Sequence, residues 1–475
     1  DINNIITRVT GKSISDIDGL IKANGSANLF LINPNGIVFG ENAKLDIGGS
    51  FVATTADGIE FGEQGVFSAI NPEVPQILNV NPSALFFNQV AAANITVRSV
   101  APAGTSPSGI EVVGLRVPDS RSLLLVGGDV NFEGGQSSAL GGHLELGGLK
   151  EPGSIELIFS DETLQLGYPD NILLANVTLK DDARASVRGA GGGNLVVNAD
   201  SFTATSGGRL IAGTEKPVKG GDITVNANNF IINGLSSSGN SSGLYNQTVV
   251  DAVGNAGDIF VNTKIFDASS DARIQNSINT GAVGNAGNIE ISADFFSLQN
   301  GSQVVTSNFG QGNSGNIEIN ADTVELIGVS ANGQFISGLF SETYSVNSSA
   351  QAGNIILNTQ ILNHRDGAAI STQASNQGKG GDLTITATES LNVSGIAPST
   401  LLNNPFFRSG LSTSTLGSGT AGNLKIFDTG KIKIEDGGQV FASSFNQGEG
   451  GNIEINADAL EIIGVSEKGL FRSAF

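Results

Sequence analysis

Apolar residues alternate with polar ones along most of this chain, and the alternation restarts again and again at a glycine. The fullest form is Gly315-Asn316-Ile317-Glu318-Ile319-Asn320-Ala321-Asp322, and variants begin at Gly193, Gly221, Gly257, Gly287, Gly353, Gly381, Gly422 and Gly451. Each copy has Asn or Asp after the glycine and apolar side chains at every second position thereafter. A period of two is the mark of a strand with one buried face, and the glycine reads as a turn residue in front of it. Further strand-like stretches follow within each interval, such as Val324 with Leu326, and then Gln303-Val304-Val305-Thr306-Ser307 or Gln439-Val440-Phe441-Ala442-Ser443. Three short strands and three corners in about 28 residues predict one turn of a stacked coil. The expected fold is therefore all-β, a right-handed parallel β-helix with three strands per coil in a single continuous rod. With 16–18 coils it would be on the order of 80 Å long at strand spacing.

Stacking predicts that like residues meet in neighbouring coils. Asn194, Asn288, Asn316, Asn354, Asn423 and Asn452 are expected to form a side-chain amide ladder. Asp222, Asp258 and Asp382 fit such a ladder poorly and are expected to turn outward or to cap their corners. The repeat glycines are separated by 28, 36, 30, 28, 38, 28, 41 and 29 residues. The three longest intervals contain Ser242-Gly243-Leu244, Ser337-Gly338-Leu339 and Ser409-Gly410-Leu411, with Thr248, Thr343 and Thr415 at equal distance. These tripeptides are candidate lateral contact loops along one side of the rod; tolerated surface insertions are the plainer reading. Residues 300–335 and 436–471 agree at 22 of 36 positions, an offset of 136 that marks a duplicated block of four coils.

Composition narrows the function classes. The 475 residues contain 65 Gly, no Cys, and 45 acidic against 24 basic side chains, a net charge of −21. Scattered acids with no basic stripe argue against nucleic acid or an anionic membrane as partner. No apolar run is long enough to span a membrane. Absence of cysteine fits either a core that needs no staples or export of an unfolded chain.

The most distinctive non-repeated stretch is Ala27-Asn28-Leu29-Phe30-Leu31-Ile32-Asn33-Pro34-Asn35-Gly36-Ile37-Val38-Phe39-Gly40, two apolar strands around a turn. Asn, Pro and Gly at the first, second and fourth positions suit a type I turn. Together with Ile6-Thr7-Arg8-Val9-Thr10-Gly11 before it and Leu45-Asp46-Ile47-Gly48-Gly49-Ser50-Phe51-Val52-Ala53-Thr54-Thr55 after it, this stretch resembles the secretion domain of filamentous-haemagglutinin-type exoproteins of the two-partner secretion pathway. The resemblance is strong over residues 1–90 and looser through 114–135. It implies a β-helical domain recognised by an outer-membrane β-barrel transporter, with Asn33, Pro34, Asn35, Gly36 and Ile37 as the secretion motif. It further implies a protein secreted by, or held at the surface of, a Gram-negative-type bacterium after passing the periplasm. The expected organisation is a secretion domain over 1–115, truncated at its N-terminus, a continuing β-helix over 116–192, and repeats over 193–475. A first residue that is Asp1 and a repeat cut at Phe475 imply a longer natural protein.

Little else points to chemistry. His143 and His364 are the only histidines, so zinc and Cys–His sites lack ligands, and neither cofactor nor metal is expected. His364-Arg365-Asp366 reads as an exposed corner. Asp181 and Asp182 with Arg184 and Arg188 are the nearest approach to a polysaccharide-cleaving cluster; they read more simply as a solvated corner, and no enzyme is expected. The leading reading is an adhesin-like exoprotein whose targets would be a host surface, a neighbouring cell or an extracellular glycan. A stalk for a downstream toxin and a polysaccharide-degrading β-helix are the alternatives.

Overall fold

The computed structural model describes residues 2–72, 80–160, 163–344, 350–375, 377–397, 408–466 and 471–475. The described residues contain strands, turns and bends, with no helix. They divide into two compact units, residues 1–216 with 221–228, and residues 217–220 with 229–475. Both are parallel β-helices of three-faced coils.

In the N-terminal unit the first face stacks Asn4–Arg8, Asn28–Ile32, Phe51–Thr54, Ser122–Gly127, His143–Gly148 and the start of Asn194–Thr205, each parallel to the next. The second face stacks Ser15–Ile17, Ile37–Phe39, Ile95–Val97, Val130–Glu133, Val177–Lys180 and the end of Asn194–Thr205. The third face pairs Leu20–Lys22 with Lys44–Asp46, and separately stacks Leu115–Arg116, Gln136–Ser138, Arg184–Ser186 and Arg209–Thr214.

The coils here are not uniform. Two of them leave the helix and return, contributing an antiparallel sheet of Val66–Ser68, Gly58–Glu60, Ala84–Phe87, Gly153–Ser160 and Thr163–Gly167. This side sheet covers the outer surface of the first face. Phe30, Val52, Leu124 and Val126 point outward into a cluster with Ile59, Leu85, Ile155, Leu157 and Leu164 from the sheet. Leu29, Phe51, Leu123 and Leu144, one residue away on the same strands, stack in register and are buried. A strand buried on both sides needs consecutive apolar residues, which is why Leu29-Phe30-Leu31-Ile32 and Leu123-Leu124-Leu125-Val126 do not alternate.

In the second unit the coils are regular. Its first face stacks Ile259–Asn262 with the opening halves of Ile289–Gln299, Ile317–Ile327, Ile355–Arg365, Leu383–Ser394, Leu424–Glu435 and Ile453–Ile463. The closing halves of these long strands, after residues 229–233 and Ile265–Ser269, form the second face. The third face stacks Gly243–Thr248, Arg273–Ile278, Gln303–Asn308, Gly338–Thr343, Ala369–Ala374, Gly410–Thr415 and Gln439–Ser444. Inside, Ile289, Ile317, Ile355, Leu383 and Leu424 stack on one face, and Phe230, Phe266 and Phe296 stack on another with centroids 4.8 and 4.5 Å apart.

The repeat glycine has a different purpose from the turn role its position suggests. None of Gly287, Gly315, Gly353, Gly381, Gly422 and Gly451 has positive φ. Instead, a Cβ on each would collide with the carbonyl oxygen of the equivalent glycine one coil earlier. Glycine is required because the coils approach too closely for any side chain there.

The amide ladder also differs from expectation. Asn316 Oδ1 accepts the backbone N–H of Asn354 at 2.8 Å, and Asn288 Oδ1 that of Asn316 at 2.9 Å. A side-chain oxygen is all that is needed, so aspartate serves equally well. Asp258 accepts from Asn288 at 2.7 Å, Asp382 from Asn423 at 2.8 Å, and, in the N-terminal unit, Asp222 donates its N–H to Asn194 at 2.9 Å. Asp258 and Asp382 are rungs of the ladder and do not turn away from it, and Lys219 and Lys379 stand 3.5 Å from them. Side-chain amide pairs occur elsewhere, at the far end of the motif, as Asn226 with Asn198 and Asn358 with Asn320.

Candidate functional site

The stretch at 27–55 supplies one strand of the first face, one of the second, and the corner between them. Asn33 starts that corner and is fully buried. Its Nδ2 donates to Ser13 O at 3.0 Å and Ser15 Oγ at 2.9 Å in the preceding coil, while its Oδ1 accepts the Asn35 N–H at 3.0 Å. Asn35 Nδ2 donates back to Gly11 O at 2.8 Å, and Gly36 N closes the turn on Asn33 O at 3.1 Å. Gly36 has φ +115°, a conformation open to glycine and strained for other residues. Pro34 and Ile37 are buried, and Ile37 N donates to Asn94 O in the following coil. Asn33 therefore uses both ends of its amide, donating down one coil and accepting within its own turn. The five motif residues are held together, with their polar groups turned into the stack; Asn35 alone is half-exposed.

The corner that follows is tied in the same way. Asp18 accepts from Asn42 N at 2.8 Å and Asn42 Nδ2 at 2.9 Å, and these bonds hold its carboxyl below the usual range. Beneath the side sheet lies a buried polar cluster that sequence reading missed. Glu145 meets His143 Nε2 at 2.9 Å, Leu166 N at 3.0 Å and Asn198 Nδ2 at 2.9 Å. These bonds pin the side sheet to the coil wall. The sequence signal is Glu145, a carboxylate at a strand position whose neighbours in register, Leu124 and Val196, are apolar.

Three other sequence candidates resolve differently. The proposed lateral loops are corrected: Ser242, Gly243, Leu244, Ser337, Gly338, Leu339, Ser409, Gly410 and Leu411 are all buried at the start of third-face strands, with the leucines in the core. Before the first two the inserted chain forms small hairpins, closed by Leu235 with Ser241 and Val329 with Ile336, and before the third Ile396 bridges Arg408. The serines serve the stack, since Ser337 Oγ accepts Gly301 N at 2.8 Å and Ser409 Oγ accepts Gly367 N at 2.9 Å from shorter neighbouring coils. His364 is likewise not in an exposed corner. It faces inward between Leu326 and Val393, and burial lowers its pKa to about 3.

Asp181 and Asp182 both have φ of +60° and make the tight corner before Arg184. Arg209 reaches Asp182 at 3.8 Å and Arg188 reaches Glu215 at 3.5 Å. Burial, with Arg188 and Arg209 alongside, brings Arg184 down to about 10. The two aspartates thus set the chain direction, and their basic neighbours belong to the third face. Among the described residues no group of three His, Cys, Asp or Glu side chains converges as a metal site, and no helix is long and apolar enough to cross a membrane.

Residues 1–197 match the family model of the TPS secretion domain. Among solved structures, the HMW1 secretion domain from Haemophilus influenzae is similar at 21% identity over 82% of this chain and 82% of its own, with a TM-score of 0.43. No curated protein matches. The match to the secretion domain extends past the boundary expected at 115, as does the side sheet, which runs from residue 58 to residue 167.

Proposed function

We propose, for a chain that opens with a TPS secretion domain, that an outer-membrane β-barrel transporter of the two-partner type reads residues 1–197 as an export address. The repeats beyond Gly193 then form the adhesin-like part that the secreted protein presents outside the cell. The family match over residues 1–197 carries this reading. The buried bonding of Asn33 and Asn35 supports a specific role for the secretion motif. It fixes the corner between the first and second faces, so that the surface offered to the transporter lies elsewhere on the domain. The acidic, cysteine-free composition suits passage through a narrow pore as an extended chain.

The experiment is co-expression in a Gram-negative host, with a secretory leader in front of residue 1 and a TPS-type transporter beside it. Secretion into the medium that depends on the transporter is the expected result. Equal release with and without the transporter would remove the reading.

A further inference from the structure

On the outer surface of the third face, the second unit holds a recess between two walls of different origin. One wall continues the strands. Phe309 and Tyr344 directly follow Gln303–Asn308 and Gly338–Thr343, and their rings stack with centroids 4.9 Å apart and planes 4° from parallel. That separation is the coil spacing, so register alone sets the pair. The other wall is the inserted hairpin closed by Val329 with Ile336, which carries Gln334 and Phe335. Arg273 lies over the Phe335 ring at 5.3 Å and donates to Gln303 Oε1, while Gln303 Nε2 donates to Ile336 O at 3.0 Å. These contacts tie the hairpin to the coil.

Between the walls lies a cavity of about 340 Å³, floored by Gln275, Val305, Ser307, Phe340 and Glu342. Phe309, Phe335 and Tyr344 are 42%, 37% and 37% exposed, whereas the stacked Phe230, Phe266 and Phe296 are fully buried. Rings left open on both sides of a recess mark a binding surface and not a packing one. Polar groups at the floor are short of partners. Ser307 is 1% exposed and its hydroxyl has no partner. The half-buried Gln275 amide finds none among the described residues. Glu342 Oε2 accepts from Tyr344 Oη at 2.5 Å, which leaves Oε1 as an acceptor. Burial raises the Glu342 carboxyl above its usual range, against the pull of Tyr344 and Arg273.

We propose that this recess binds a neutral sugar, one or two rings held between the Phe309–Tyr344 wall and Phe335. Flat aromatic rings offer stacking surface to the C–H faces of a sugar, and the floor meets its hydroxyl edge. A wholly apolar ligand would leave Gln275 and Glu342 desolvated without a partner. An anion would face Glu342 in a chain of net charge −21, and a cation would face Arg273. The cavity lies at the small end of ligand-pocket sizes, which suits a short saccharide and not a long chain. The inference gives the adhesin-like reading of the repeats a ligand class. Its test needs no transporter, so failure here leaves the export reading standing.

The test titrates the whole purified chain with maltose, cellobiose, mannobiose, lactose and diacetylchitobiose, with digalacturonate and a diamine as charged controls. Calorimetry measures affinity. The chain has no Trp and three Tyr, so tyrosine fluorescence reports contact at Tyr344. At least one neutral disaccharide should bind at about millimolar Kd and change that fluorescence. Phe309→Ser and Phe335→Ser should each weaken binding about tenfold, through loss of a stacking face, with unchanged circular dichroism. Phe309→Tyr, which keeps the face, should bind within about twofold of native. Failure of every neutral disaccharide to bind, native-like binding by the Phe309→Ser, Phe335→Ser double variant, or tighter binding of digalacturonate or the diamine would each overturn the proposal.

Discussion

The two units build the same coil under different rules. In the second, the first-face strands face core on one side and open outward on the other, so Ile317 and Ile319 alternate with Glu318 and Asn320. In the first, the strands of one face are covered on both sides, inside by the coil core and outside by the antiparallel sheet. Regular alternation thus marks where the chain only stacks. Its loss, in Leu29-Phe30-Leu31-Ile32 and Leu123-Leu124-Leu125-Val126, marks where something has been added, and the additions fall in the region that matches the secretion domain.

The corners differ in the same sense. A repeat asparagine such as Asn316 contributes one acceptor to an exposed ladder, and aspartate replaces it as acceptor at 258 and 382. Asn33 uses donor and acceptor in a fully buried site, where aspartate would face a carbonyl oxygen.

That comparison can be broken or sharpened by substitution. The largest effect is expected in the second unit from Gly315→Val, whose side chain would be driven into the Gly287 carbonyl. The cost should exceed about 3 kcal/mol in urea unfolding. Gly328, with φ +73° and open space around its Cβ position, should tolerate Ala at only about 1 kcal/mol.

Asn33→Asp comes next, at about 3 kcal/mol at neutral pH, because it loses the bonds to Ser13 and Ser15 and buries a charge.

His364→Leu should act through pH. The folded pKa near 3 lies below the ordinary 6.5, so the contribution of the neutral ring is complete above pH 6.5 and is lost as pH falls towards 3. At pH 5 the loss is roughly 2 kcal/mol, and the Leu variant should not show it when melting temperatures are compared across that range. The smallest effect belongs to Asn316→Asp, within about 0.5 kcal/mol of native, since the ladder bond to Asn354 N survives. Equal costs for the Asn33 and Asn316 variants would erase the distinction between the two corners.

The coil and its length of about 28 residues were legible because alternation and repetition are local properties of sequence. The side sheet was not, although the doubly apolar strands announced a cover, because its own strands at 58–68 and 153–167 pair across long separations. The ladder was misread for a physical reason: the amide was expected to meet another amide, whereas the nearest donor in the next coil is a backbone N–H. Ser242, Ser337 and Ser409 followed inserted residues and so looked like loop, but burial places the insertions just before them.

The most direct test is a comparison of secreted yield in the co-expression system. One chain lacks residues 315–450, a deletion that joins Ser314 to Gly451 and keeps the repeat in phase. The other carries Asn33→Asp at full length. If export is addressed by the N-terminal domain and the repeats only stack, the shortened chain is secreted at native yield while the point variant is retained. Retention of the shortened chain, or native secretion of Asn33→Asp, would contradict that division of labour.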